Sequence, residues 1–183
     1  MTIRHRRLPP IRAALTMAVL GAAFLAALPS PPAQAMADPL TRCRENQRTD
    51  WYQETNVLGN GGGSLPAGTD PPNVLLPGDA FVVRPLLGDR AQFGVFGPYY
   101  GPDGNLATAP GGWPYPGLFQ YSEILRFNNN PAGWVRAPAQ ATAFQGCQVW
   151  TEGLPVRLLF GVNDPQTWDN GGQWATSLSI WRA

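Results

Sequence analysis

The sequence predicts an all-β fold, a jelly-roll-like antiparallel β-sandwich with an irregular N-terminal segment, and three observations lead to it. Glycine and proline make up over a fifth of the 183 residues and fall between short apolar stretches, the texture of short strands joined by many turns. Val156, Leu158, Phe160 and Val162 alternate with Arg157, Leu159 and Gly161 at a period of two. Trp174, Thr176, Leu178 and Ile180 likewise share one face, with Ala175, Ser177 and Ser179 on the other. Both runs read as half-buried antiparallel strands.

Taken in order, residues 1–35 have the layout of a secretory signal peptide. Arg4, Arg6, Arg7 and Arg12 precede a 16-residue apolar run, Ala13 to Leu28, and Ala33-Gln34-Ala35 supplies a small-residue cleavage pattern. That run is shorter than the roughly 20 residues a spanning helix needs, and Pro29, Pro31 and Pro32 follow it. We therefore expect export and a secreted, extracellular protein with no membrane span in the mature form. Residues 36–71 form a polar N-terminal segment, helical or irregular, with Asn60 to Ser64 as a flexible Gly-rich joint. The sandwich domain spans 72–183. Pro77-Gly78-Asp79 is a turn launching a strand over Ala80 to Arg84. Gln120–Phe127 and Ala143–Trp150 are further strand candidates. The Gly/Pro/aromatic stretch from Gly94 to Gly117 is loop, long enough to suggest function.

Several functional classes are excluded by what is missing. The one histidine, His5, lies in the leader, so the mature chain has neither a Ser-His-Asp or Cys-His nucleophile system nor a His-ligated metal. Catalysis would have to rest on carboxylates such as Asp103, Glu123, Glu152, Asp164 or Asp169. Single loop carboxylates are usually solvated or capping groups, and we expect no enzyme. Past residue 35, nine arginines face twelve acidic residues, so no basic footprint for nucleic acid exists. Cys43 and Cys147 are expected to form one disulfide outside the cytoplasm.

The most informative stretch runs from Asn163 to Trp174 and joins the two best strands. Asn163, Asp164, Thr167, Asp169 and Asn170 place five oxygen-bearing side chains within eight residues. Calcium takes six to eight oxygens in flexible geometry, which such a loop can offer. The same residue types also make ordinary turns, and composition alone leaves both readings open.

The order Leu158-Leu159-Phe160-Gly161-Val162-Asn163-Asp164, Thr167-Trp168-Asp169-Asn170, Gly172-Gln173-Trp174 resembles the calcium and sugar loop of the galactose-binding bacterial lectins of the PA-IL type. Pro77-Gly78-Asp79 and Phe96-Gly97-Pro98-Tyr99-Tyr100-Gly101-Pro102-Asp103-Gly104 resemble two further motifs of that family, in the same order. The resemblance covers residues 72–183. It implies a β-sandwich, Ca2+ held by Asp164, Asp169 and Asn170 with the backbone carbonyls of Thr167 and Phe96, and a sugar whose hydroxyls meet the ion, Asp164 and Asp169. The family's outer sugar contacts, a histidine and a glutamine, fall where this chain has Leu106-Ala107-Thr108-Ala109-Pro110-Gly111. Thr108 is the one polar side chain there, so the cation site is better matched than galactose specificity. Trp168 is the aromatic residue expected at the ligand; Tyr99, Tyr100, Trp113 and Tyr115 are further stacking candidates. The expected function is a secreted, calcium-dependent carbohydrate-binding protein. The alternative is an exported structural or cell-envelope interaction domain with this fold and no sugar binding.

Overall fold

A computed structural model describes residues 37–65, 74–129 and 133–183; the expected signal peptide lies outside the described residues. Residues 36–183 form one compact unit. In chain order the elements are helix α1 (Pro39–Arg44), β1 (Trp51–Leu58), β2 (Gly63–Leu65), β3 (Ala80–Pro85), β4 (Ala91–Gln92), β5 (Tyr99–Tyr100), β6 (Glu123–Asn129) and β7 (Gly133–Gln140). A 3-10 turn, Ala141–Phe144, leads to β8 (Gln148–Val149) and β9 (Arg157–Val162); a second, Thr167–Asp169, leads to β10 (Gly171–Trp181).

The fold is all-β and antiparallel, as the sequence predicts. One sheet runs β5-β4-β10-β3-β8, with β1 also paired to β10; the other runs β2-β9-β6-β7. One core joins them: Phe81, Val83, Trp174, Leu178 and Ile180 from the first sheet meet Leu125, Phe127, Leu158, Phe160 and Val162 from the second. The two alternating runs are β9 and the later part of β10, and their apolar faces are the buried ones. The Pro77–Asp79 turn also forms, with the Asp79 carboxylate accepting the Leu76 N–H at 2.9 Å immediately before β3.

The N-terminal segment is the main correction. Residues 51–58 are not an irregular lead-in but pair with β10 over their whole length, from Trp51 opposite Ile180 to Leu58 opposite Gln173. β1 carries no strong apolar alternation because it shows solvent on one face and only half-buries the other, leaving Val57 as its one fully buried side chain. The Gly-rich stretch is no flexible joint either: Gly63–Leu65 pairs with β9, so it carries the chain from one sheet to the other. Gly62 sits at φ +70°, and a Cβ there would lie 2.4 Å from the Phe160 carbonyl oxygen. Gly62→Ala is therefore expected to cost on the order of 2–3 kcal/mol, read as a lower midpoint in urea unfolding; an unchanged midpoint would refute the crossover role. The 143–150 candidate resolves into the 3-10 turn and two-residue β8. Strand β7 is not expected from the sequence, because Pro138 interrupts its pattern, a residue tolerated on an edge strand.

The predicted disulfide is present. Cys43 of α1 joins Cys147 beside β8, with the Cα atoms 6.0 Å apart. Cys43 packs with Ala80, Val82 and Trp181, so α1 covers the face of the first sheet opposite the main core.

Candidate functional site

The segment from Asn163 to Asn170 crosses from β9 in one sheet to β10 in the other, at one end of the sandwich. Asn163 is wholly buried and acts as a clamp. Its side-chain carbonyl accepts the Tyr115 N–H at 3.1 Å, and its amide donates to the carbonyls of Tyr115 at 2.9 Å and Phe119 at 3.0 Å. Its backbone binds Tyr121 and Ser122. A residue read as a cation candidate thus spends its polar groups holding the 113–121 loop beside Asp164.

Asp164 and Asn170, each 7 % exposed, form the base of the site. One Asp164 oxygen accepts the Gln166 N–H at 2.9 Å, closing a local turn, and the other accepts from the Asn170 amide at 2.9 Å. The same amide donates to the Gly59 carbonyl at 3.0 Å, while the Asn170 oxygen accepts the Gly94 N–H at 3.1 Å. Asp169 is half-buried and accepts from the Gln166 side chain at 2.9 Å. The Gly94–Gly97 turn lies against this group: a Cβ on Gly94 would sit 3.8 Å from an Asp169 oxygen. The turn is tight, with the Gly97 N–H on the Gly94 carbonyl at 3.1 Å, and a Cβ on Gly97 would overlap the Phe93 carbonyl.

Folding therefore brings together Asp164, Asp169 and Asn170, with Thr167 in the turn between them and Phe96 on the apposed turn. The Thr167 carbonyl accepts the Asn170 N–H at 3.2 Å. Two aromatic side chains stand out at the rim: Phe96 is 98 % and Trp168 77 % exposed. Thr108 reaches the acidic loop only through the residues that Asn163 clamps. Its carbonyl accepts from Gln120 at 3.2 Å, it pairs across to Phe119, and among the described residues no hydrogen bond links it to the acidic loop.

Tyr121 and Trp113 belong to the site more closely than the sequence indicated. Tyr121 adopts φ +58°, and its ring centre lies 4.9 Å from that of Phe93, 5.4 Å from Tyr100 and 5.2 Å from Trp113. Burial, then the negative charges of Asp164, Tyr100 and Asp169, raise its hydroxyl above the ordinary value. No periodicity marks these residues; only the clamp from Asn163 brings their loop here.

The donors are all hard oxygen, with two carboxylates, an amide and backbone carbonyls, which suits calcium rather than a transition metal. Among the described residues no group of three or more His, Cys, Asp or Glu is placed to hold a metal, so such an ion would depend on amide and carbonyl oxygens. Of the other candidate acids, the Asp103 carboxylate accepts from Thr142 at 2.7 Å, and Glu123 is buried in the interior. Neither the family models nor the curated proteins compared with this chain include a match.

Proposed function

We propose that this is an exported, calcium-dependent carbohydrate-binding protein of lectin type. One observation supports it most: Asp164, Asp169 and Asn170 meet the Gly94–Gly97 turn, and the two turns there each carry an exposed aromatic ring, Phe96 and Trp168. Asp164, Asp169, Asn170, Thr167 and the Phe96 carbonyl would hold the ion. When bound, it supplies coordination positions that neighbouring sugar hydroxyls can take in place of water. The carboxylates accept hydrogen bonds from those hydroxyls, and the indole of Trp168 offers a flat apolar face to the ring. Export is supported by the leader-like layout of residues 1–35 and agrees with a disulfide-bonded chain. Galactose-type sugars are the first to try, although among the described residues Thr108 makes no hydrogen bond to the acidic loop.

A second reading, a structural or envelope-interaction domain without sugar binding, is favoured by the full use of Asn170 in joining Gly59, Gly94 and Asp164. Thermal melts with 10 mM calcium or EDTA, followed by a glycan array in calcium, separate the two. For an extracellular-grade site of about 0.1–1 mM affinity, calcium is expected to stabilise the wild type by about 1.4–2.7 kcal/mol. An Asp164→Ala/Asp169→Ala variant should gain nothing. Equal gain in both forms, or none in the wild type, refutes the metal site; stabilisation without glycan binding leaves the second reading.

A further inference from the structure

At the open end of the β4–β5 hairpin, the end opposite its Gly94–Gly97 turn, lies a hollow of about 350 Å³. Leu87, Arg90, Tyr99, Asp103 and Leu106 line it, so a cation and a carboxylate border the same space. Leu87, Tyr99 and Leu106 are each more than half exposed, which makes the rest of the rim open apolar surface. The volume is that of a small-ligand site with room for about one hexose ring.

The Arg90 guanidinium is fixed by one corner. Its Nη1 donates to the Leu87 carbonyl at 2.9 Å and to the Asp89 carbonyl at 3.3 Å. A Cβ on Gly101 would lie 2.5 Å from that nitrogen, so the missing side chain makes the space it occupies. Nε and Nη2 make no hydrogen bond among the described residues, and Arg90 is exposed, so both donors are open to a ligand. Asp103 is half-buried; one oxygen accepts from the Thr142 hydroxyl at 2.7 Å, and the other accepts nothing among the described residues. Among those residues the ion pairs are Arg42–Asp50 and Arg182–Asp79, so Arg90 and Asp103 do not close on each other. A planar donor fork and a carboxylate, each anchored at one atom, thus border one hollow with donors and an acceptor left over.

We infer that this hollow is a second saccharide site, independent of calcium, that takes one neutral hexose unit. Adjacent sugar hydroxyls both donate and accept, so they can bridge a guanidinium and a carboxylate that are held apart, through hydrogen bonds of the stronger, charge-assisted kind. The C–H face of the ring covers the apolar surface of Tyr99 and the two leucines. Charge discriminates among sugars: a uronate would meet Asp103, and an amino sugar Arg90, at like charge. A small amino acid carries both charges but cannot cover the three apolar side chains. The site uses none of Asp164, Asp169 or Asn170, and it stands whether or not the acidic loop binds calcium.

The test is an NMR titration of the isotope-labelled protein, in EDTA, with methyl β-galactoside, methyl α-glucoside and methyl α-mannoside. At least one is expected to saturate at millimolar concentration, with amide shifts clustered at residues 87–90 and 99–106. Arg90→Gln is expected to weaken that binding at least tenfold, and the matching uronate and amino sugar should bind the wild type at least tenfold more weakly. Gly101→Ala displaces only the end of a flexible side chain, so it should fold and also weaken binding; it decides the matter should Arg90→Gln fail to fold. Equal binding of the uronate or the amino sugar, alanine binding in the same hollow, or undiminished binding by either folded variant would overturn the assignment. So would the absence of shifts at tens of millimolar, or shifts confined to other residues.

Discussion

Replacing both Cys43 and Cys147 with serine is expected to lower the unfolding free energy by about 4–5 kcal/mol, the loop-entropy value for a closed loop of this length. The bridge spans 104 residues, so most of the sandwich lies inside the loop it closes. Without it, α1 is held mainly by the Arg42–Asp50 ion pair and by the small cluster of Ala80, Val82 and Trp181. A six-residue helix has almost no stability of its own, so α1 should be the first element released. Urea unfolding of the oxidised wild type and the double-serine variant reads the difference directly, and amide exchange should show α1 losing protection below the global transition. A difference under about 1 kcal/mol would mean that the bridge constrains the unfolded chain far less than its span implies.

Replacing Glu123 with glutamine is expected to change the shape of the stability profile against pH. Glu123 is fully buried on β6; one carboxyl oxygen accepts from the Thr176 hydroxyl at 2.8 Å and the other has no partner among the described residues. Burial raises its pKa from the ordinary 4.5 to about 8, and the Thr176 hydrogen bond opposes that rise only in part. Between these two values the folded state keeps a proton that the unfolded state releases. Stability is therefore lost as pH rises across that window, at up to about 1.4 kcal/mol per pH unit, and levels off above about 8. Beyond His5 the chain has no histidine, so apart from the amino terminus no ordinary side chain competes in that window. Glu123→Gln keeps the shape and removes the titration, so its profile should be flatter and should overtake the wild type as pH rises. Parallel profiles from pH 5 to 9 would show that the carboxyl is already ionised at the lower end, or never pays for ionisation.

How much of the molecule was legible can be judged from individual elements. Strands β9 and β10 were legible because each buries one face against the core and leaves the other partly open, which imposes a period of two. The turn at Pro77–Asp79 was legible because its chemistry is local. Strand β1 was not: its stability comes from eight backbone pairings to β10, more than 110 residues away in sequence, and backbone pairing leaves little trace in side-chain type. The same reason hid the sheet-to-sheet crossover at Gly62, whose strand pairs with the distant β9, whereas in β7 it is Pro138 that breaks the pattern. At the candidate site the oxygen-rich residues were visible as a cluster, whereas the division of labour among them was not. Nothing in the sequence distinguishes Asn163, which clamps a loop, from Asp164 and Asn170, which face each other at 2.9 Å.

By itself, then, the sequence determined the fold class, the pairing of its two cysteines and the hard-oxygen character of one loop, because these depend on local periodicity, on a count of two and on residue type. The tertiary structure decided which loops adjoin. It set the Gly94–Gly97 turn against Asp169 and brought Trp113 and Tyr121 under the clamp of Asn163. Each of these depends on contacts between residues distant in the chain, whose energies come from packing and hydrogen bonding in the finished fold.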